Sequence, residues 1–137
     1  MEKFKFLEHT ADIKFQAFGK TIEEVFENAG LAMFNSMCDE KVKEKRKVRI
    51  KAEGKDFESL LYNFLEELLV LFDSEGFFLS KIKSLKVDEK KFKLGAEVVG
   101  DDAKNYEIHI DIKAVTYSEM FVKRQGGRWV AQVVLDV

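Results

Sequence analysis

Proline is absent from this chain of 137 residues, and cysteine occurs once, at Cys38. One thiol closes no internal disulfide, and with two histidines it cannot complete a four-ligand thiolate and imidazole zinc site. Long apolar runs are missing as well. The longest, Leu68 to Phe72, is 5 residues, where a bilayer span needs about 20. The opening Met-Glu-Lys-Phe-Lys-Phe has neither the apolar stretch nor the small-residue cleavage site of a signal peptide, so the reducing cytoplasm is the expected compartment. Charge of one sign is also lacking, since 23 Lys and Arg face 25 Asp and Glu for a net −2. So small a net charge, with an apolar share of 46%, excludes a disordered chain. Eight glycines are present, but none forms G-x-G-x-x-G, G-x-x-x-x-G-K-[ST] or G-x-S-x-G. A phosphate-cradling loop and a serine nucleophile elbow are therefore both absent.

What remains is a chain able to build one core. Thirteen Phe supply bulk, and a domain of this length buries about 68% of its unfolded surface. We expect a single domain spanning 1–137. Nineteen Lys and sixteen Glu against seven Asn and Gln match the ion-pair surfaces of heat-adapted proteins, whereas the missing proline argues the other way.

Periodicity assigns the elements. Phe4 and Phe6, and then Ile13, Phe15 and Ala17, alternate with polar residues as half-buried strands do. Thr21 and Glu24 form a capping box for a helix over 22–38, with Ile22, Val25, Phe26, Ala29, Met33 and Met37 on one stripe. Val48, Ile50 and Ala52 mark a strand within 41–53. A second helix over 57–74 carries a wide Leu and Phe face, and Gly76 stands where a left-handed C-terminal cap belongs. Strands follow over 77–87 and 92–99, at Ile108 to Ala114, and on both sides of the Gly126-Gly127 turn. The pattern predicts an α+β fold in two layers, with two helices on one face of a mainly antiparallel or mixed sheet of about seven strands.

Four places have residues suited to chemistry. Cys38 ends a helix, where the dipole disfavours a thiolate, and reads as a reduced, semi-buried thiol. Lys41 to Lys51 holds seven cations against Glu44, with no interleaved aromatics. It suits a solvated strand face better than a nucleic-acid groove. His9, Thr10 and Asp12 bring an imidazole, a hydroxyl and a carboxylate together as an acid/base pair or as a turn. At the other end, Val133, Val134 and Leu135 form a strand that continues into Asp136 and Val137. There a side-chain carboxylate and the chain-end carboxylate could serve a hard cation or simply close a polar strand end.

At these residues the sequence resembles the archease family. The matching pieces are His9-Thr10-Ala11-Asp12, the helix from Leu60 to Leu69, the strand Ile112-Lys113-Ala114-Val115-Thr116-Tyr117, and the ending Val134-Leu135-Asp136-Val137. The resemblance implies a non-enzymatic activator of the RtcB-type RNA ligase in tRNA splicing. Such a protein speeds guanylylation of the ligase, permits multiple turnover and broadens its nucleotide use. It further implies a bound divalent ion, calcium above others, on Asp12, Asp136 and Val137, with His9 and Thr10 in support. RNA would be reached only through the ligase. One departure is Ser118, where the family commonly has His after Thr-Tyr. The competing readings are a general chaperone or adaptor, a small metal-dependent hydrolase, and an RNA-binding module built on Lys41 to Lys51.

Overall fold

The computed structural model describes residues 1–8 and 11–137. Two helices and seven strands succeed one another as β1 (Phe4–Leu7), β2 (Ile13–Gly19), α1 (Ile22–Met37), β3 (Arg46–Glu53), α2 (Phe57–Glu75), β4 (Phe77–Asp88), β5 (Lys93–Asp102), β6 (Ala114–Gln125) and β7 (Arg128–Asp136). The α+β class and the element count agree with the periodicity. The strands, however, divide between two sheets. One is ordered β1-β2-β7-β6 and the other β3-β5-β4, and every pairing is antiparallel.

Both helices start where capping chemistry puts them. Glu24 N donates to Thr21 Oγ1 at 3.1 Å, and Lys20 N donates to the Glu24 carboxylate at 3.0 Å. At α2 the cap is Asp56, whose carboxylate accepts from Ser59 N at 2.7 Å while Ser59 Oγ accepts from Asp56 N at 3.2 Å. Gly76 ends α2 at φ 60°, a left-handed conformation that costs glycine nothing.

Each helix touches both sheets. α1 packs on β1, β2 and β7 of the first and on β4 of the second, while α2 packs on β6 of the first and on β3, β4 and β5 of the second. One continuous apolar cluster results, with Phe15, Phe26, Phe64 and Leu65 fully buried. Helix α1 comes close to its neighbours at Gly30, where a Cβ would lie 3.1 Å from Leu68 Cδ1 and 3.2 Å from Ile82 Cδ1. Phe26 and Phe64 stack across the same helix pair with ring centroids 6.2 Å apart.

Two segments depart from their periodicity. Lys41 to Lys45 precedes β3 without joining it. Its backbone is held by Lys43 N donating to the Tyr106 hydroxyl at 2.8 Å and by Ser80 Oγ donating to Val42 O at 2.7 Å. Ile108 to Lys113 alternates as a strand would, yet no strand pairs with it and β6 begins only at Ala114. This segment is anchored by His109 N donating to Met37 O at 2.9 Å and by Lys113 N donating to Asp136 O at 2.8 Å. Period two requires only an extended chain that buries alternate side chains, as the buried Ile112 does.

Candidate functional site at the β2 and β7 strand ends

Strands β2 and β7 run antiparallel in a register that pairs Ile13 with Leu135 and Phe15 with Val133. The inward residues Phe15, Val133 and Leu135 are fully buried. The ladder ends at the Ile13–Leu135 pair, so Asp12, just ahead of β2, and Asp136, the last residue of β7, both lie at this end of the sheet. Ala114 of β6 pairs with Asp136 from the other side. Two acidic residues far apart in sequence are therefore brought to one end of the sheet, with Val137 directly after Asp136. Asp136 is exposed, while Asp12 and Val137 are half-buried. His9 and Thr10 lie outside the described residues, so the acid/base pairing of His9 with Asp12 has no structural test.

The terminus of α1 adds to the same end. Asn35 and Ser36 of its last turn, with Glu8, Asp12, Lys14 and Ile110, line an open cleft of about 430 Å³. No basic side chain occupies that last turn, so the helix itself supplies no positive charge at the negative end of its dipole. With Glu8 and Asp12 on the rim, the electrostatics favour a cation. Lys14 turns to the side and pairs with Glu119 at 3.0 Å.

Glu119 belongs to an irregularity in β6, whose register on β7 shifts between Thr116 and Phe121. Its φ of 54° is unusual for a residue with a side chain. The Lys14 pair and a 2.8 Å hydrogen bond from Gln132 Nε2 to Glu119 O hold it. Ser118 sits in this bulge, and its N donates to Thr116 Oγ1 at 3.2 Å. Beside it, Tyr117 stacks on Tyr62 of α2 with centroids 4.2 Å apart and planes 8° apart. Burial raises both phenols above the usual tyrosine range, and carboxylates such as Glu66 add to the shift.

Cys38 is buried and caps the end of α1. Burial pushes its thiol up, and the Glu40 carboxylate, 3.4 Å from Sγ, stabilises the protonated form further. Glu40 itself is held down by the Glu107 N–H and then by the Cys38 thiol. The geometry agrees with an inert thiol.

Sequence reasoning did not find Asn35, Ser36 or Ile110 as neighbours of Asp12. No local signal marks them, because only the packing of α1 and the 107–113 segment brings them there.

The model of the Archease protein family (MTH1598/TM1083) matches residues 4–137. This chain belongs to the archease family. Protein archease of Methanosarcina mazei is 41% identical over 99% of this chain and 97% of that one. The Pyrococcus abyssi archease is 40% identical over the full length of both. Among solved structures, the solution structure of Methanobacterium thermoautotrophicum protein 1598 superposes with a TM-score of 0.78 at 39% identity, covering all of both chains. A Thermotoga maritima archease described as a possible chaperone shares the fold, with a TM-score of 0.65 at 21% identity over 97% of this chain and 96% of that one.

Proposed function

We propose that this archease activates an RtcB-type RNA ligase in tRNA splicing, promoting its guanylylation and repeated turnover and widening its nucleotide use. Its acidic strand end would carry a divalent cation. The observation that supports the reading is the β2–β7 register, which brings the start of β2, just after Asp12, and the end of β7, at Asp136, to one end of the sheet. The donor set fits a hard cation. It offers carboxylate oxygens and no thiolate, and an irregular oxygen set suits the looser geometry of calcium. Among the described residues no group of three or more His, Cys, Asp and Glu side chains is suited to a metal. In this proposal the third donor is the Val137 carboxylate, as the family resemblance implies, with His9 and Thr10 as supporting groups. When bound, the ion supplies concentrated positive charge at this end of the molecule.

The chain's own residues need not perform ligase chemistry. Without a nucleotide-binding loop, the protein leaves nucleophile and nucleotide to the ligase. An activator shifts the ligase toward its reactive state by binding that state more tightly. Asp12 and Asp136 would hold the contacting end in shape. The bulge with Ser118 and the exposed Tyr117 would flank it.

The test is guanylylation of the ligase, followed by multiple-turnover RNA sealing, with substoichiometric amounts of this protein. The expected result is acceleration that Asp12→Ala and Asp136→Ala both remove. Full acceleration by Asp12→Ala would refute the role of the acidic end. Turnover of RNA or nucleotides without ligase would favour the hydrolase reading. Equal rescue of an unrelated protein's refolding would favour a general chaperone.

A further inference from the structure

The second sheet turns its inner face, with Ile50, Ala96, Val98 and Ile82, into the core. Its outer face has a charge order that only the strand register reveals. Across β3, β5 and β4, one row reads Lys47, Val99, Lys81, the next Arg49, Glu97, Ser84, and the third Lys51, Gly95, Lys86. Lys83 joins them at the β4 irregularity between Ile82 and Ser84. All six of these cations are exposed; Glu97 is the one acid within the three rows, and Glu44 reaches Lys81 Nζ from the segment before β3 at 3.5 Å. The fourth row, Glu53, Lys93 and Asp88, is neutralised within itself, with Lys93 Nζ 4.0 Å from the Glu53 carboxylate. In a chain of net charge −2, this face is a strong local excess of positive charge.

Its shape is a trough. β5 forms the floor, where Gly95 has no side chain and nothing lies within 4 Å of its would-be Cβ. Val99 is 6% exposed, beneath the level of the lysines beside it. The cations of β3 and β4 rise on either side, two strand spacings or about 9.5 Å apart, and repeat about every 6.7 Å along each strand. No aromatic side chain stands on the floor to stack a base, and no apolar side chain protrudes to enter a bilayer. Two parallel rows of flexible ammoniums along a narrow floor complement a linear chain of phosphates.

We propose that the outer face of β3-β5-β4 binds the phosphate backbone of structured RNA, without reading sequence, along the β5 trough. This surface lies on strands other than those of the acidic end. The binding is independent of the ligase and of the cation proposed above. Glu97 is the one acid on β5 within the three rows, and its removal should strengthen binding.

The test is fluorescence anisotropy of a labelled RNA hairpin with the purified protein alone, over a series of salt concentrations. Engagement of about four cations predicts a slope of log affinity against log salt of about −3 to −4. Lys47→Gln/Arg49→Gln/Lys51→Gln and Lys81→Gln/Lys83→Gln/Lys86→Gln should each weaken binding at least 10-fold and flatten that slope by about 2, half of the engaged cations lying on each side. Glu97→Gln should tighten it several-fold. A control that neutralises Lys20, Lys104 and Lys113, off this face, should change affinity less than 2-fold. Melting curves verify that every variant is folded. The proposal is overturned if the wild type does not bind at low salt, or if the control loses as much as the face variants. It is equally overturned if Glu97→Gln has no effect, or if phosphatidylserine vesicles compete as well as RNA. Because no ligase is present, failure here leaves the activator reading untouched, and failure of ligase activation leaves this proposal untouched.

Discussion

Replacing Phe26 by Ala tests the core that both sheets share. Phe26 is fully buried on α1 and stacks on Phe64 of α2 at 6.2 Å between centroids. Phe→Ala in such a site costs about 3–5 kcal/mol, part lost transfer energy and part cavity. A domain of this size has about 5–15 kcal/mol in total. At about 4 °C per kcal/mol the melting temperature should fall by about 12–20 °C. Phe6 is the matched control: it is 45% exposed on β1, which lies at the edge of its sheet. Phe6→Ala should cost less than about 1 kcal/mol. Differential scanning calorimetry of the two variants, with Phe64→Ala and the double variant Phe26→Ala/Phe64→Ala, gives both the cost and the coupling. The stacked pair should show about 0.5–1.5 kcal/mol of coupling. Equal melting temperatures for Phe26→Ala and Phe6→Ala would mean that α1 does not bury Phe26 in the core as described.

Four further outcomes are expected. Asp12→Ala, Asp136→Ala, or one residue appended after Val137 should each weaken calcium binding in titration calorimetry. Unchanged affinity in the extended protein would remove the Val137 carboxylate from the proposed site. Asp101 is buried and accepts from the Tyr106 hydroxyl at 2.7 Å and from Asp102 N at 2.8 Å, which together hold its carboxyl below the usual Asp range. A depressed folded-state pKa gives stability that is present above the unfolded value, about 3.9, and is lost as pH falls through the folded value. Acid unfolding monitored by circular dichroism should therefore show less pH dependence in that range for Asp101→Asn than for the wild type. Lys47→Glu, Arg49→Glu and Lys51→Glu should each change stability by no more than about 0.5 kcal/mol in urea unfolding, since these side chains are solvated. Cys38, buried and with its thiol pKa raised, should react with a thiol reagent at neutral pH only after denaturant is added.

The amino-acid sequence alone determined the local elements. The start of α1 was legible because Thr21 and Glu24 are capping residues in fixed chemical relation, and the end of α2 because Gly76 accepts a left-handed backbone. The buried stripes were legible because helical and strand periods differ. The extended segment at Ile108 to Lys113 was read as a strand because alternation reports burial and does not report pairing. Division of seven strands into two sheets was likewise invisible, since the partner of a strand is a long-range choice. The same holds for the sites. Asp12 and Asp136 could each be seen as carboxylates at strand ends, but only the β2–β7 register brings those two ends to the same end of one sheet. Lys81, Lys83 and Lys86 were unremarkable polar positions of one strand until pairing through β5 set them opposite Lys47, Arg49 and Lys51. Local chemistry fixes dihedral angles residue by residue, whereas a site is a coincidence of distant residues, and only the packed sheets and helices bring those together.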